Sequence, residues 1–175
     1  MSVFKGTPIS VEDMLAAKDN RFAYQQNLTK NYSGTIVSFK LNIPGAVKSN
    51  DIIVDIFNEG LLAWNQCIFE NGFEVLKFKS SYEKTGPEYF AVLQDAPLLI
   101  KEMTAKIEEE HFLGRLFDFD VLDSKLQQYG RSQIGKPRRK CLICEDDAFV
   151  CGRSRIHDLE DVITHIVNLA TTYLY

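Results

Sequence analysis

The spacing of apolar positions changes period several times along the chain, and each change marks an element. Thr35, Val37, Phe39 and Leu41 alternate with Ile36, Ser38, Lys40 and Asn42, a period of two that predicts a strand. Pro44-Gly45 ends it. Ile53, Phe57, Leu61 and Trp64, joined by Ile52 and Ile56, then recur at helical spacing, with Ser49 or Asn50 available as an N-cap. Phe73 to Phe78 and Tyr89 to Leu93 read as strands around a turn at Thr85-Gly-Pro87. Asp95 and Pro97 open a second helix, lined on one side by Leu99, Met103 and Ile107, with an acidic end at Glu108, Glu109 and Glu110. Arg115 to Asp123, dense in Phe and Val, predicts another strand. Before this series, Ser10-Val-Glu-Asp13 reads as a capping box that starts a helix running to about Asn31. After it, Asp158 and Asp161 at N3 predict a cap for a helix whose apolar stripe is Leu159, Val162, Ile163, Ile166, Val167, Ala170 and Tyr173.

The order of elements from Thr35 to Asp123 is βαββαβ. It predicts a single α+β domain over 1–175 with extra N- and C-terminal helices. The core, about 34–123, is a mixed or antiparallel sheet of ferredoxin-like or nucleotidyltransferase-like type. A basic and cysteine-bearing loop covers 130–157 and a C-terminal helix covers 158–174. A chain of 175 residues with 45% hydrophobic and 25% charged content has the makings of one such core. No apolar run is long enough to cross a bilayer, and Met1-Ser-Val-Phe-Lys-Gly-Thr-Pro8 does not read as a signal peptide. The expectation is a cytoplasmic protein whose four cysteines are thiols or metal ligands.

Two patterns carry chemistry. In Leu116-Phe-Asp-Phe-Asp-Val-Leu122, strict alternation sends Phe117, Phe119 and Val121 to the core, and Leu116, Asp118, Asp120 and Leu122 to the other face. Two carboxylates one pleat repeat apart repel each other, and a divalent cation removes that cost. Mg²⁺ takes one or two protein carboxylates and completes its shell with water and substrate phosphate. Against this stands a solvated strand face with two idle aspartates; but Asp is a poor strand former, and such local conflict tends to mark a site.

The second pattern is cationic. Arg131-Ser-Gln-Ile-Gly-Lys-Pro-Arg-Arg-Lys140 holds five cations and no acid, and Gly135 and Pro137 make it a loop. Alone it reads as a solvated loop or a weak nucleic-acid patch. Paired with Asp118 and Asp120 it suits a polyphosphate, since arginine forks match phosphate oxygens. The net charge of -4 and the lack of a recognition helix or stacking aromatics argue against nucleic acid. That average hides a division: Arg131 to Arg155 carries seven cations against three acids, net +4, which leaves -8 for the rest. Within this segment Cys141-Leu-Ile-Cys144, Cys151 and His157 have spacing that fits a structural Zn²⁺, or a trio of reduced core thiols. Cys67 stands apart as a small core residue, and His111, close to Gly114, is a candidate base.

Gly114-Arg-Leu-Phe-Asp-Phe-Asp-Val121, the run from Arg131 to Cys144 and Val150-Cys-Gly-Arg-Ser-Arg-Ile-His157 resemble the CitX family, the citrate lyase holo-acyl-carrier-protein synthases. Leu41-Asn-Ile-Pro-Gly-Ala-Val-Lys48 and Arg21, Gln25 and Gln26 extend the resemblance over nearly the whole chain; Tyr24 departs from it, where a basic residue is expected. The resemblance implies a nucleotidyltransferase-type enzyme. It would move a prosthetic-group precursor from 2'-(5''-triphosphoribosyl)-3'-dephospho-CoA to a serine of the apo acyl-carrier (gamma) subunit of citrate lyase, releasing diphosphate. It implies Mg²⁺ on Asp118 and Asp120, a catalytic Arg115, and substrate contacts from Lys48, Arg131, Arg138 and Arg139. The Asp-x-Asp is similar to that of nucleotidyltransferases in general, although their Gly-Ser element is absent. Two other readings remain open at this point: a non-catalytic, zinc-stabilised basic module that docks on an acidic partner, and a nucleotidyltransferase using an ordinary nucleotide.

Overall fold

A computed structural model describes residues 5–175, so Met1 to Phe4 of the segment tested for a signal peptide lie outside it. Helix α1, Val11–Asn31, starts at the expected capping box: Ser10 Oγ accepts from the Asp13 N–H at 3.0 Å, and an Asp13 oxygen accepts from the Ser10 N–H at 3.3 Å. Strand β1 is Thr35–Leu41 and helix α2 is Asp51–Asn71, capped by Asn50. Strands β2 (Val75–Glu83) and β3 (Gly86–Leu93) form a hairpin, followed by α3 (Pro97–Glu110). Strand β4, Phe117–Leu122, follows a 3-10 turn at Gly114–Leu116, and β5 is the short Gln128–Tyr129. Helices α4 (Ala148–Ser154) and α5 (Leu159–Leu174) complete the chain, so the stretch expected to be irregular carries a helix of its own.

Among the described residues this is an α+β fold of one five-stranded antiparallel sheet and five α-helices. The strand order is β2-β3-β1-β4-β5. Alternation assigns the two faces. Val37, Phe39, Phe117, Phe119 and Val121 meet Ile53, Phe57 and Trp64 of α2, Ile100 of α3 and Ile166 and Ala170 of α5 in the main core. Phe39 stacks on Phe57 and Phe119 at 5.0 and 4.2 Å between ring centroids. Gly60 permits this approach, because a Cβ there would lie 2.4 Å from the Phe39 ring. On the opposite face α1 covers a smaller cluster of Leu28, Ile36, Phe90, Val92 and Leu122. Along that same face lie Ser38, which is buried, and Lys40, Asp118 and Asp120, which are partly exposed.

Three expectations need correction. Leu116 does not share the face of Asp118; the 3-10 turn rotates it into the main core, where it is fully buried. The buried residues of α3 are Ile100, Lys101, Thr104, Ala105 and Glu108; of the expected row, Met103 and Ile107 pack against the main core, while Leu99 is exposed. Two charged side chains share that buried side, because they satisfy the strand beside it. Asp158 occupies the N-cap position of α5 but makes no side-chain capping bond.

Candidate active site

Antiparallel pairing sets Lys40 of β1 opposite Asp118 of β4, and Ser38 opposite Asp120. The two carboxylates point from one face, as alternation predicts, and converge on a single cation. Lys40 Nζ donates to Asp118 Oδ2 at 2.5 Å and to Asp120 Oδ2 at 2.7 Å. Burial works against the ammonium, but Asp120 and Asp118 outweigh it and hold its pKa above the ordinary lysine value. Gln128 of β5 donates to the other Asp120 oxygen at 2.7 Å. The donor set fits a hard cation, since both carboxylates already aim at one positive centre. Lys40 is the member of this cluster that sequence reasoning passed over: it looked like one more polar strand position until register brought it to the acid pair.

The backbone of this strand is held from its other edge. Phe119, between the two aspartates, turns its N–H and C=O away from β1. The N–H donates to Glu108 Oε1 at 3.0 Å, and the C=O accepts from Lys101 Nζ at 2.9 Å. Lys101 is 6% exposed and Glu108 3%. Burial lowers the Lys101 pKa, while the charge of Glu108 works against the fall. In the sequence Glu108 marks only the acidic end of the helix, and nothing singles out Lys101.

The basic segment is strapped across β4. At its start, Arg131 donates to Glu108 Oε2 at 2.7 Å and to Glu109 Oε1 at 2.6 Å. Lys136 also pairs with Glu109. At its far end one nitrogen of Arg139 donates to the carbonyls of Gly114, Arg115 and Phe117 at 3.3, 3.1 and 2.7 Å, and the other lies 3.9 Å from Asp118 Oδ1. Gly114 can stand so close to α3 because it lacks a Cβ, which would come within 2.6 Å of the carbonyls of Ile107 and Glu108. Arg138, in contrast, points outward, its side chain 78% exposed and 3.7 Å from Asp147.

Beside Arg139 opens a cavity of about 630 Å³, lined by Asn42, Pro44, Arg115, Arg139, Lys140, Leu142, Arg155, His157, Leu159 and Val162 among others. Burial and the nearby charge of Arg139 lower the Arg115 pKa. Lys48 sits elsewhere, in a smaller recess with Arg21, Lys40 and Glu88. Its ammonium donates to the Ile43 carbonyl at 2.6 Å, and burial lowers its pKa. Arg21 pairs with Glu88. Tyr24 packs edge-on against Phe90, and Lys79 Nζ lies 4.8 Å above the Tyr24 ring, so β2 supplies a cation beside the position that lacks one.

His111 lies on the main-core side of the sheet, with Phe117 and Tyr173 of α5. Its Nδ1 accepts from the Leu113 N–H at 3.0 Å, its Nε2 is 3.3 Å from the Tyr173 hydroxyl, and its ring packs on Phe117. Asp118 and Asp120 point from the opposite face. The structure does not bring this histidine to the acid pair.

Cys141, Cys144, Cys151 and His157 do come together. Their ligand atoms all lie within 4.8 Å of one another, the one group of three or more metal-ligating side chains among the described residues, and it could hold a metal ion. Burial opposes ionisation of Cys141, but the backbone N–H groups of Cys144 and Ile143 outweigh it and bring its pKa down to about 7. Burial and the neighbouring thiols push Cys151 up to about 12. Cys67 is remote from this cluster, buried on α2, and burial raises its pKa.

Residues 9–173 match the family model described as apo-citrate lyase phosphoribosyl-dephospho-CoA transferase. A relative from Vibrio cholerae serotype O1 (strain M66-2), named probable apo-citrate lyase phosphoribosyl-dephospho-CoA transferase, is 36% identical over 174 residues, 99% of this chain and 98% of the relative. Relatives from Shigella boydii serotype 18 and Escherichia coli O157:H7, named apo-citrate lyase phosphoribosyl-dephospho-CoA transferase, are each 30% identical over 158 residues, 90% of this chain and 86% of the relative. No helix among the described residues is long and apolar enough to cross a membrane. With the sequence motifs, the acid pair and the cationic cavity on one chain, the match over nearly its whole length decides the family: the chain belongs to the CitX family of apo-citrate lyase phosphoribosyl-dephospho-CoA transferases.

Proposed function

We propose that this chain joins the triphosphoribosyl-dephospho-CoA precursor to a serine of the apo acyl-carrier (gamma) subunit of citrate lyase. The observation that carries the reading is the family match over residues 9–173. The serine oxygen attacks the phosphorus next to the ribose. An O–P bond forms, the bond from that phosphorus to the next phosphate oxygen breaks, and diphosphate leaves. The serine proton passes to a carboxylate of the acid pair or to water.

Asp118 and Asp120 would hold Mg²⁺, and Lys40 is the cation that it would replace between them. When bound, the metal would draw charge from the phosphoryl oxygens. The remaining work is positioning and charge. The cavity beside Arg115, Arg139 and Arg155 suits the triphosphate end of the donor. Arg115 would offset charge on the departing diphosphate, and Arg139 would join that cavity to Asp118. Lys48 would bind from the other side of the pair. Arg131 contributes by fixing the basic segment, since Glu108 and Glu109 hold its guanidinium, and Arg138 stands free for the partner protein. Cys141, Cys144, Cys151 and His157 would hold Zn²⁺, and with four protein ligands its role would be structural.

Strand order β2-β3-β1-β4 with helices α2 and α3 packed on one face supports a ferredoxin-like core carrying a nucleotidyltransferase-type site. A family of transferases does not favour the docking-module reading. Asp118→Ala and Asp120→Ala should fold and fail to modify the carrier, as read by its mass. Full transfer by both variants removes the acid pair from the reaction.

A further inference from the structure

The cysteine cluster is built as a clasp. Cys144 Sγ is 3.5 Å from Cys151 Sγ and 3.3 Å from His157 Nε2. A tetrahedral zinc, with Zn–S of about 2.3 Å and Zn–N of about 2.0–2.1 Å, separates its ligand atoms by roughly 3.4–3.8 Å. Three sulfurs and one imidazole nitrogen form a soft set that selects zinc over magnesium or calcium. All four cysteines of the chain are free thiols.

What the ligands are attached to gives the site its role. Cys141 follows Arg139 and Lys140 in a tight hairpin, where the Cys141 N–H donates to Asp146 O at 2.7 Å and the Ala148 N–H to Arg139 O at 2.9 Å. Cys151 lies on α4, a seven-residue helix capped by Asp147. Arg155 then takes a left-handed φ of 49°, which brings His157 back to the sulfurs just before α5. This conformation disfavours a non-glycine residue and persists only where its surroundings impose it. Cys141, Cys151 and His157 themselves line the 630 Å³ cavity, with Arg139, Lys140 and Arg155 beside them in sequence. Little apolar surface holds the segment from the outside, for Phe149, Val150 and Ile156 are exposed.

We propose that Zn²⁺ bound by Cys141, Cys144, Cys151 and His157 is the clasp of the donor cavity: it fastens the Arg139 hairpin, α4 and the head of α5 into one wall, so donor binding depends on a metal that never touches the reacting atoms. The role in donor binding rests on the reading that this cavity takes the donor; the metal site does not.

The test uses the full chain, purified with reductant. Metal analysis should find one zinc per chain, and cobalt replacement should give a sulfur-to-cobalt charge-transfer band. Stripping the metal with a chelator should leave hydrogen exchange in β1 and β4 unchanged and raise it across 139–158. It should also weaken binding of triphosphoribosyl-dephospho-CoA, measured by calorimetry without carrier, by about tenfold or more, because only a fraction of molecules keeps the wall assembled. Zinc should restore both. The proposal is overturned by a chain that takes up no zinc, by a Cys144–Cys151 disulfide in the reduced preparation, or by metal-free protein with unchanged exchange and donor affinity. A zinc-loaded chain with protected 139–158 that binds no donor refutes the functional reading instead, and leaves the metal site standing. Cys144→Ser should repeat the metal-free result; should it fail to fold, the chelation arm still decides.

Discussion

Lys101 and Glu108, two turns apart on the buried side of α3, hold the C=O and the N–H of Phe119 between them. They stand in for a neighbouring strand, since β5 pairs only with Val121 and Leu122 and leaves the edge of β4 away from β1 without a strand partner here. A buried charge without its partner is costly. Glu108→Ala strands the buried Phe119 N–H, leaves Arg131 with Glu109 alone, and should cost about 3 kcal/mol of stability. Glu108→Gln keeps an acceptor for the N–H and should cost clearly less. Urea unfolding measures both, and equal losses would deny the bracket.

Lys40 and a divalent cation want the same carboxylate oxygens. Lys40→Met should therefore tighten Mn²⁺ binding by about tenfold, a coupling of ordinary size for two ligands of one site, while the fold persists. Calorimetry of Mn²⁺ binding to the two proteins makes the comparison. An unchanged affinity would mean that Asp118 and Asp120 are not the metal site.

Neighbouring arginines should behave differently. Arg139 ties the carbonyls of Gly114, Arg115 and Phe117 to the neighbourhood of Asp118, whereas Arg138 reaches into solvent. Arg139→Lys loses the planar fork and should lower transfer by roughly 10²-fold, the scale of a misplaced positioning group. Arg138→Ala should leave donor binding within about twofold, the usual scale for a surface change. Donor affinity and single-turnover rates on both variants check this, and similar effects would contradict it.

How far this site was legible in the sequence follows from the range of the interactions. The capping box at Ser10, the strand alternation of β1 and β4 and the facing of Asp118 and Asp120 are local, and all were readable. The Lys40 ion pairs join positions 78 and 80 residues apart, and the Glu108 bond to Phe119 depends on which face α3 presents. Local hydrophobicity found Met103 and Ile107, which pack on the core, but passed over Lys101 and Glu108, because it cannot see an unpaired strand edge waiting for a lysine and a glutamate. The cysteine spacing was readable as a ligand set; its place in the cavity wall was not, since that follows from α4 and the turn at Arg155.

Acid should weaken the fold through His111. Burial lowers its pKa below the ordinary value of 6.5, with Glu59 acting in the other direction. The unfolded chain then binds the proton more readily than the folded one, so stability is full above about pH 6.5 and falls as the pH drops through the lowered folded value. His111→Asn keeps an acceptor for the Leu113 N–H and removes the titration. Melting temperatures should fall less for this variant than for the parent between pH 7.5 and about pH 5.5. Parallel losses would place the acid sensitivity elsewhere.

The central claim is tested most directly by the intact mass of the apo acyl-carrier subunit after incubation with the chain, Mg²⁺ and triphosphoribosyl-dephospho-CoA. The predicted result is a gain equal to the donor less diphosphate, on a serine, that disappears with Asp118→Ala or Asp120→Ala. An unmodified carrier, or a carrier that gains an adenylyl group from ATP but nothing from the donor, would contradict it.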